Sequence, residues 1–422
     1  MNNYLQQIMT YFRNLALNSA GVERNLYQLI QDGDIEAAID MMQNRDDEVN
    51  SAIKEYNPQT HEVMSRSNKY RKNDDPYISE KLPRTRQRYI NEVELFFLLG
   101  NPIKWKKENG SDDAFALFTD FIKTTRFNST MRQSKRLAGA ETESAKIYHL
   151  YRDDRTGERQ VRSMVLARSN GYKLRPLFDQ YGNMTAFAYG YKLKENGKTV
   201  QHWDIQTPDM LFFCRKGNIG YEVESYPNPT GKINVLYYSQ PKAWDGAEPR
   251  LKREEILDSK VGDTNNYFAD PIAVASAILF DTFTPDFSFD KIKGMGTLSG
   301  DAIKNAMILG YIKRDNRKEM YEELIDREKN LIISILKYLH LDKTAGLDKL
   351  EISFEFSEPF TEDKQRTWNA IGKLYTDGIA SLEQVVQMLA LTDAPEEEVE
   401  RIRSEKGNEK GDILKNDLIL NA

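Results

Sequence analysis

Residues 284–336 read TPDFSFDKIKGMGTLSGDAIKNAMILGYIKRDNRKEMYEELIDREKNLIISIL, and the fold turns on how that run is parsed. Its first half is loop sequence. Gly294 and Gly296 admit backbone angles that other residues avoid, and Lys291 and Lys293 stand beside them. Ser299 suits a helix start, because its hydroxyl can cap free N–H groups, and Asp301 complements the positive end of the helix dipole. A long helix is predicted to follow. Met320, Leu324, Leu331, Ile335 and Leu339 fall on one face, widened by Tyr321, Ile325 and Ile332. Glu323, Asp326, Arg327 and Lys329 occupy the wet side. A glycine-hinged, lysine-bearing loop thus feeds a stiff amphipathic rod, which suits a mechanical part better than a catalytic pocket.

The whole chain has 422 residues, more than one ordinary core needs, so two or three structural regions are expected. Its balance of 40% hydrophobic and 29% charged residues is that of a soluble globular protein. No window approaches the ~20 apolar residues of a membrane span. The start, MNNYLQQIMTYF, has no cationic region ahead of an apolar block and does not read as a secretory signal. The single cysteine, Cys214, excludes an internal disulfide and a zinc cluster and fits a reducing compartment. Net charge is −6, whereas tight duplex binders are usually basic, because phosphate neutralisation drives their affinity. A firm grip on DNA is therefore not expected, although a conduit that DNA slides through can be acidic.

Taken in order, residues 1–56 read as short helices. Asp34 caps IEAAIDMMQN, with Ile35, Ala38 and Met41 on one side. A turn-rich connector, Tyr56 to Arg66, centres on Pro58. Leu82 to Trp105 contains a helix that ends at Gly100 ahead of Pro102, with Ile90, Val93, Phe96, Phe97 and Leu98 as its apolar face. The basic cluster Arg84, Arg86 and Arg88 is a candidate for phosphate or subunit contacts, against the blander alternative of a solvated helix start. Asp112 to Arg126 is a further helix, continuing through MRQSKRLAGAETESAKI with a break near Gly139. Strands then dominate, with hairpins about Asn196-Gly197 and Gly217-Asn218. After a linker at 241–248, Leu251 to Phe268 reads as a helix weakened at Gly262. Beyond the long helix come a strand at Leu350 to Phe356 and a helix over Glu362 to Tyr375. A turn at Asp377-Gly378 leads to a helix with a Ser381/Gln384 capping box. The acidic run Glu396 to Glu398 after Pro395 reads as a first helical turn, and the tail from Lys406 is polar.

Several lookalikes fail on spacing. His61-Glu62 lacks the second histidine of HExxH, since position 65 is Ser65, so His61 reads as a surface or capping residue. Gly197-Lys198-Thr199 lacks the distal P-loop glycine, because that position is Lys192. Gly231-Lys232 has Tyr226 there instead. Turn glycines followed by solvated lysines explain both. Cys214 lies in a strand-like run and reads as a buried thiol. No catalytic constellation, metal-ligand set or cofactor site is found, and the chain reads as a non-enzyme.

TPDFSFDKIKGMGTLSGDAIKNAM resembles the portal proteins of tailed bacteriophages, of the type found in siphophages of Gram-positive hosts. The core of the likeness is Ser299, Gly300, Ala302 and Lys304. LLGNPI before Trp105, PNPTGKINVLYY (Pro227 to Tyr238, with Asn234 where proline is usual) and the series from Leu350 to the EEE helix add to it in the right order. The resemblance implies an α+β portal fold. An N-terminal helical arm would span 1–80 and a helical then β-rich wing 81–245. A stem helix with the remnant of a clip would take 246–282, a tunnel loop 283–300 and a long helix 301–345. A wing strand and crown helices would occupy 346–405, and a disordered tail 406–422. Several dozen clip and stem residues are missing near Ser276-Ala277 by this comparison, which leaves the clip in doubt. The function implied is a homo-oligomeric ring, typically a dodecamer, at one capsid vertex of the virion, assembled in the bacterial cytoplasm. Double-stranded DNA would pass through it during packaging and ejection. Terminase, capsid or scaffolding proteins and head–tail connector proteins would be its partners, with no membrane. Lys291, Lys293, Gly294, Gly296, Thr297, Ser299, Gly300 and Lys304 would form the channel loop. A capsid-associated adaptor or scaffold without a channel, and a terminase- or nuclease-type enzyme, stay open as alternatives. The second needs clustered acidic and histidine ligands, and the four histidines are widely scattered.

Overall fold

The computed structural model describes residues 24–65, 86–239, 278–287, 307–360, 371–389 and 398–404, with isolated positions 9, 13, 69–70, 76–77, 276, 305 and 396. It divides into two units, residues 1–291 with 306–359, and residues 292–305 with 360–422.

The larger unit opens with α1 (Leu26–Gln31), α2 (Ile35–Asp40) and α3 (Asp46–Tyr56). Asn25 and Gln28 form a capping box on α1, and the Asp34 carboxylate accepts from the Ala37 N–H to start α2. Ile35 and Ala38 are buried as expected, but Met41 is exposed. The helix stops at Asp40, so the chain turns and Met42 fills the core instead. The strands β1 (Lys69–Tyr70) and β2 (Pro76–Tyr77) pair over two residues. Helix α4 (Arg86–Leu99) ends at Gly100 where the sequence places its stop, and β3 (Lys104–Asn109) follows. Helix α5 (Asp112–Thr124) is capped by Ser111. Helix α6 (Phe127–Glu141) does not break at Gly139, but it stops short of the expected Ile147, because Thr142 takes a left-handed φ of 69° and a strand begins at Glu143. That glycine instead lets α6 lie against α4: a Cβ there would come within 3.0 Å of the Asn91 side chain.

Eight strands come next: β4 (Glu143–Arg152), β5 (Arg159–Leu166), β6 (Lys173–Phe178), β7 (Met184–Glu195), β8 (Lys198–Gln206), β9 (Met210–Lys216), β10 (Tyr221–Pro227) and β11 (Val235–Ser239). Strands β6 to β10 form an antiparallel meander, and β5, β4 and β11 form a second sheet. Both predicted hairpins exist. Asn196 and Gly197 take φ of 47° and 81°, the left-handed pair that a two-residue turn between β7 and β8 needs. Alternation decides the layers. Trp203, Ile205, Phe212 and Cys214 pack on α1 and α2, while Phe187 and Tyr189, on the other face, meet Ala145, Ile147 and Leu166 of the second sheet. Cys214 is buried, as read, and burial pushes its thiol up to about 12. His61 is buried too, and its Nδ1 accepts from the Val63 N–H, so it caps a turn rather than facing water.

The long helix α7 (Ile308–Leu339) crosses this assembly and is followed by α8 (Thr344–Asp348) and β12 (Glu351–Glu355), which pairs antiparallel with β3. Tyr321, Ile325, Leu331, Ile332 and Ile335 are buried in one core with residues of α4, α5, α6, β4, β11 and β12. Mixed helix and strand, largely segregated along the chain, make this an α+β protein as expected. Two lysines read as solvated are in fact used. Lys232 Nζ donates to the Asn330 carbonyl of α7, and Lys329 Nζ donates to the Ile352 carbonyl of β12.

In the smaller unit, residues 371–376 are helical and Gly378, at φ 69°, ends that helix. Ser381 and Gln384 exchange hydrogen bonds in the predicted capping box of α9 (Leu382–Leu389). Residues 398–404 are helical. The expected stem helix at 251–268 and the tail from 406 lie outside the described residues, as does Ala277, next to which clip residues were expected to be missing.

Candidate functional site

The loop that the sequence singles out lies between two described ends, residues 278–287 and the start of α7 at Met307. Both ends are held by α4. The Tyr89 hydroxyl donates to the Pro285 carbonyl at 2.7 Å and accepts from the Phe287 N–H at 2.7 Å. Two turns of helix further along α4, the Phe97 ring lies 6.4 Å from that of Phe287 and 5.6 Å, edge-on, from that of Tyr311. Gly310 makes this approach feasible, because a Cβ there would fall within 3.0 Å of the Phe97 ring. The described chain that ends at Phe287 and the start of α7 at Met307 are therefore both seated on one patch of α4. A closed root of this kind fixes where a loop emerges without constraining its tip.

Directly beneath the root, Lys313 of α7 donates from Nζ to the Thr282 carbonyl and to Thr284 Oγ1, each at 3.1 Å. The same ammonium lies 3.7 Å from Glu94 of α4. Glu94 also receives Lys135 of α6 at 2.7 Å and Arg317 of α7 at 3.3 Å. One buried carboxylate thus serves three cations and ties α4, α6 and α7 together. Burial alone would push the Glu94 carboxyl up, but Lys135, Arg317 and Lys313 outweigh it and hold it at about 2. Burial pushes Lys313 down to about 8, with the pull of Glu94 partly offset by repulsion from Lys135 and Arg317. Lys135 is lowered for the same first reason.

Further along, α7 is locked to the second sheet. Lys146 of β4 and Glu328 of α7 are both fully buried and meet at 2.6 Å, and the Tyr148 hydroxyl donates to the same carboxylate at 2.5 Å. Arg314 of α7 pairs with Glu358 at 3.0 Å. The rod is fixed near its start and past its middle by charged groups that an apolar pattern does not report.

Of the residues singled out in the sequence, Lys291, Lys293, Gly294, Gly296, Thr297, Ser299, Gly300 and Lys304 lie outside the described residues, as does Arg84. Arg86 and Arg88 form the first turn of α4, the helix that grips the loop root, so two separate sequence features converge on one element. Glu94, Lys313 and Glu328 were missed. Glu328 carried a signal, since it interrupts the apolar series Tyr321, Ile325, Ile332 and Ile335 at helical spacing. A carboxylate in such a series must be paired if buried. Among the described residues, no helix is long and apolar enough to cross a membrane.

Residues 275–412 match the family model described as phage portal protein, SPP1 Gp6-like. The matched third of the chain starts just before the loop root and takes in the loop, α7, β12 and α9. It supports a phage portal protein, and it does so on the residues that carry the resemblance in the sequence. No curated protein matches the chain.

Proposed function

We propose that this chain is the subunit of a portal ring at a capsid vertex, and that residues 288–306 of each subunit project toward the ring axis as a channel loop. One observation carries the reading. The family match falls on a segment whose two ends are seated on a single helix and whose exit is a 32-residue helix locked into the fold. A projecting element with a rigid root is what a wall of a passage requires. Lys291 and Lys293, repeated around a ring, would give weak, sliding, salt-sensitive contacts to DNA phosphates, with Arg86 and Arg88 near the root. Ring closure needs two different complementary faces on each subunit, because head-to-tail contacts close only through rotation. No bond is made or broken by such a protein. Terminase, capsid or scaffolding proteins and head–tail connectors are the partners this role calls for, and the virion is its place.

Mass measurement and negative-stain imaging of the purified chain test the reading. Rings with an open axial pore are expected. Particles with a sealed axis would favour a capsid-associated adaptor or scaffold instead, and a stable monomer under all conditions would remove the channel.

A further inference from the structure

The short helical turn before the loop ends in an unusual way. Phe283 has a φ of 49°, a left-handed conformation that glycine adopts freely and a bulky side chain rarely does. The hydrogen bonds around it are those of a helix-ending motif. The Phe283 N–H donates to the Phe280 carbonyl at 3.0 Å and the Thr284 N–H to the Leu279 carbonyl at 2.7 Å. Glycine is the usual occupant of that position. Phe283 gains little in exchange, since it is 41% exposed. The next residue, Thr284, is buried and sits over Lys313.

The charges beneath are equally awkward. Lys313 faces Glu94 from α4, Lys135 from α6 and Arg317 from its own helix, with Tyr321 a turn further on. Arg314 is directed to Glu358, and Arg136 to Glu92. The segment above contributes only neutral partners to Lys313, Thr282 and Thr284, although Asp281 and Asp286 belong to it. Three cations share one carboxylate, and the covering residues keep water from the one most weakly paired.

We propose that residues 282–287 are a hinged cover, closed against backbone strain at Phe283 and against the burial of a charge at Lys313, and that protonation of Lys313 favours its opening. The sign follows from linkage. A closed cover disfavours the ammonium and an open one hydrates it, so the open form binds the proton more tightly. Opening releases the Thr284 and Phe287 N–H groups and frees the root of the loop. This device stands on the geometry of one subunit and does not depend on ring formation.

Hydrogen exchange of the full chain, resolved to residues 282–287 and corrected for intrinsic rates, tests it. In the wild type, protection of the Thr284 and Phe287 amides should rise about tenfold between pH 7 and 9, as each unit of differential affinity is a factor of ten. Lys313→Met should abolish that pH dependence. Phe283→Gly should raise protection of Thr284 about fivefold at pH 7 and leave the pH dependence in place. Protection of 282–287 that is flat with pH in the wild type overturns the proposal, as does unchanged or lower protection in Phe283→Gly. The wild-type and Phe283→Gly measurements decide the matter even if Lys313→Met does not fold.

Discussion

Removing either half of the Lys146–Glu328 pair should damage the protein more than removing both. The two side chains are completely buried, 2.6 Å apart, and Glu328 also accepts from Tyr148. Lys146 Nζ has the Phe127 carbonyl at 3.4 Å and lies 4.2 Å from the Phe127 ring centroid, neither of which replaces a counter-charge. Glu328→Gln keeps shape and an acceptor for Tyr148 but strands an ammonium, and Lys146→Met strands a carboxylate. Breaking a buried pair in this way costs about 3–5 kcal/mol. The double variant Lys146→Met, Glu328→Gln removes both charges and keeps the Tyr148 bond, so it should cost about 1–3 kcal/mol, less than either single change. Burial already lowers the Lys146 ammonium against the pull of Glu328. Without that carboxylate its folded value falls further below the unfolded one. The penalty is then full at neutral pH and shrinks as pH rises toward the unfolded value, because the unfolded state binds more protons over that window. Urea unfolding followed by circular dichroism and by tryptophan emission, which includes Trp105 in the same core, reads these differences. Single variants within about 1 kcal/mol of wild type, or a double variant equal to the sum of the singles, would refute the claim that this pair locks α7 to the sheet.

Gly310→Ala should destabilise the larger unit by about 1–2 kcal/mol, since overpacking against Phe97 exceeds the gain in helix propensity, and adding Phe97→Leu should recover part of the loss in the same urea titration. The stability of the wild type relative to Lys313→Met should grow by about 1 kcal/mol between pH 7 and 9. Lys313 is held near 8 in the fold against an ordinary 10.5, so its burden is complete below 8 and is relieved on the way to 10.5. Cys214 should react with a thiol reagent only after unfolding, and rapid labelling of the native chain would contradict its placement in the core. Lys291→Ala combined with Lys293→Ala should impair DNA packaging or retention in an assembly assay while leaving the oligomeric mass unchanged, and loss of the oligomer would count against the loop assignment.

What the sequence made legible follows from local chemistry. Asn196-Gly197 names its own turn, Asp34, Ser381 and Gln384 name their caps, and Gly100 before Pro102 names the end of α4. The apolar stripe of α7 was readable because burial repeats with the helical period. Contacts between distant segments were not readable. Gly139 looks like a breaker until Asn91 is seen against it, and Gly310 looks incidental until Phe97 is. The cation cluster on Glu94 draws on residues 94, 135, 313 and 317, which no spacing rule connects. Phe283 in a left-handed turn was hidden for the opposite reason, since sequence rules expect glycine there. The loop assignment at 288–306 rests on resemblance alone, and those residues fall inside the family match over 275–412.

The most direct test of the channel assignment uses the chain's single natural cysteine. Cys214 is buried, so Lys293→Cys supplies the one readily labelled thiol among the described fold and the loop. A gold cluster attached there and located by averaged electron micrographs should appear on the rotational axis of a ring. Gold at the outer rim, or single labelled subunits that never assemble, would contradict the account.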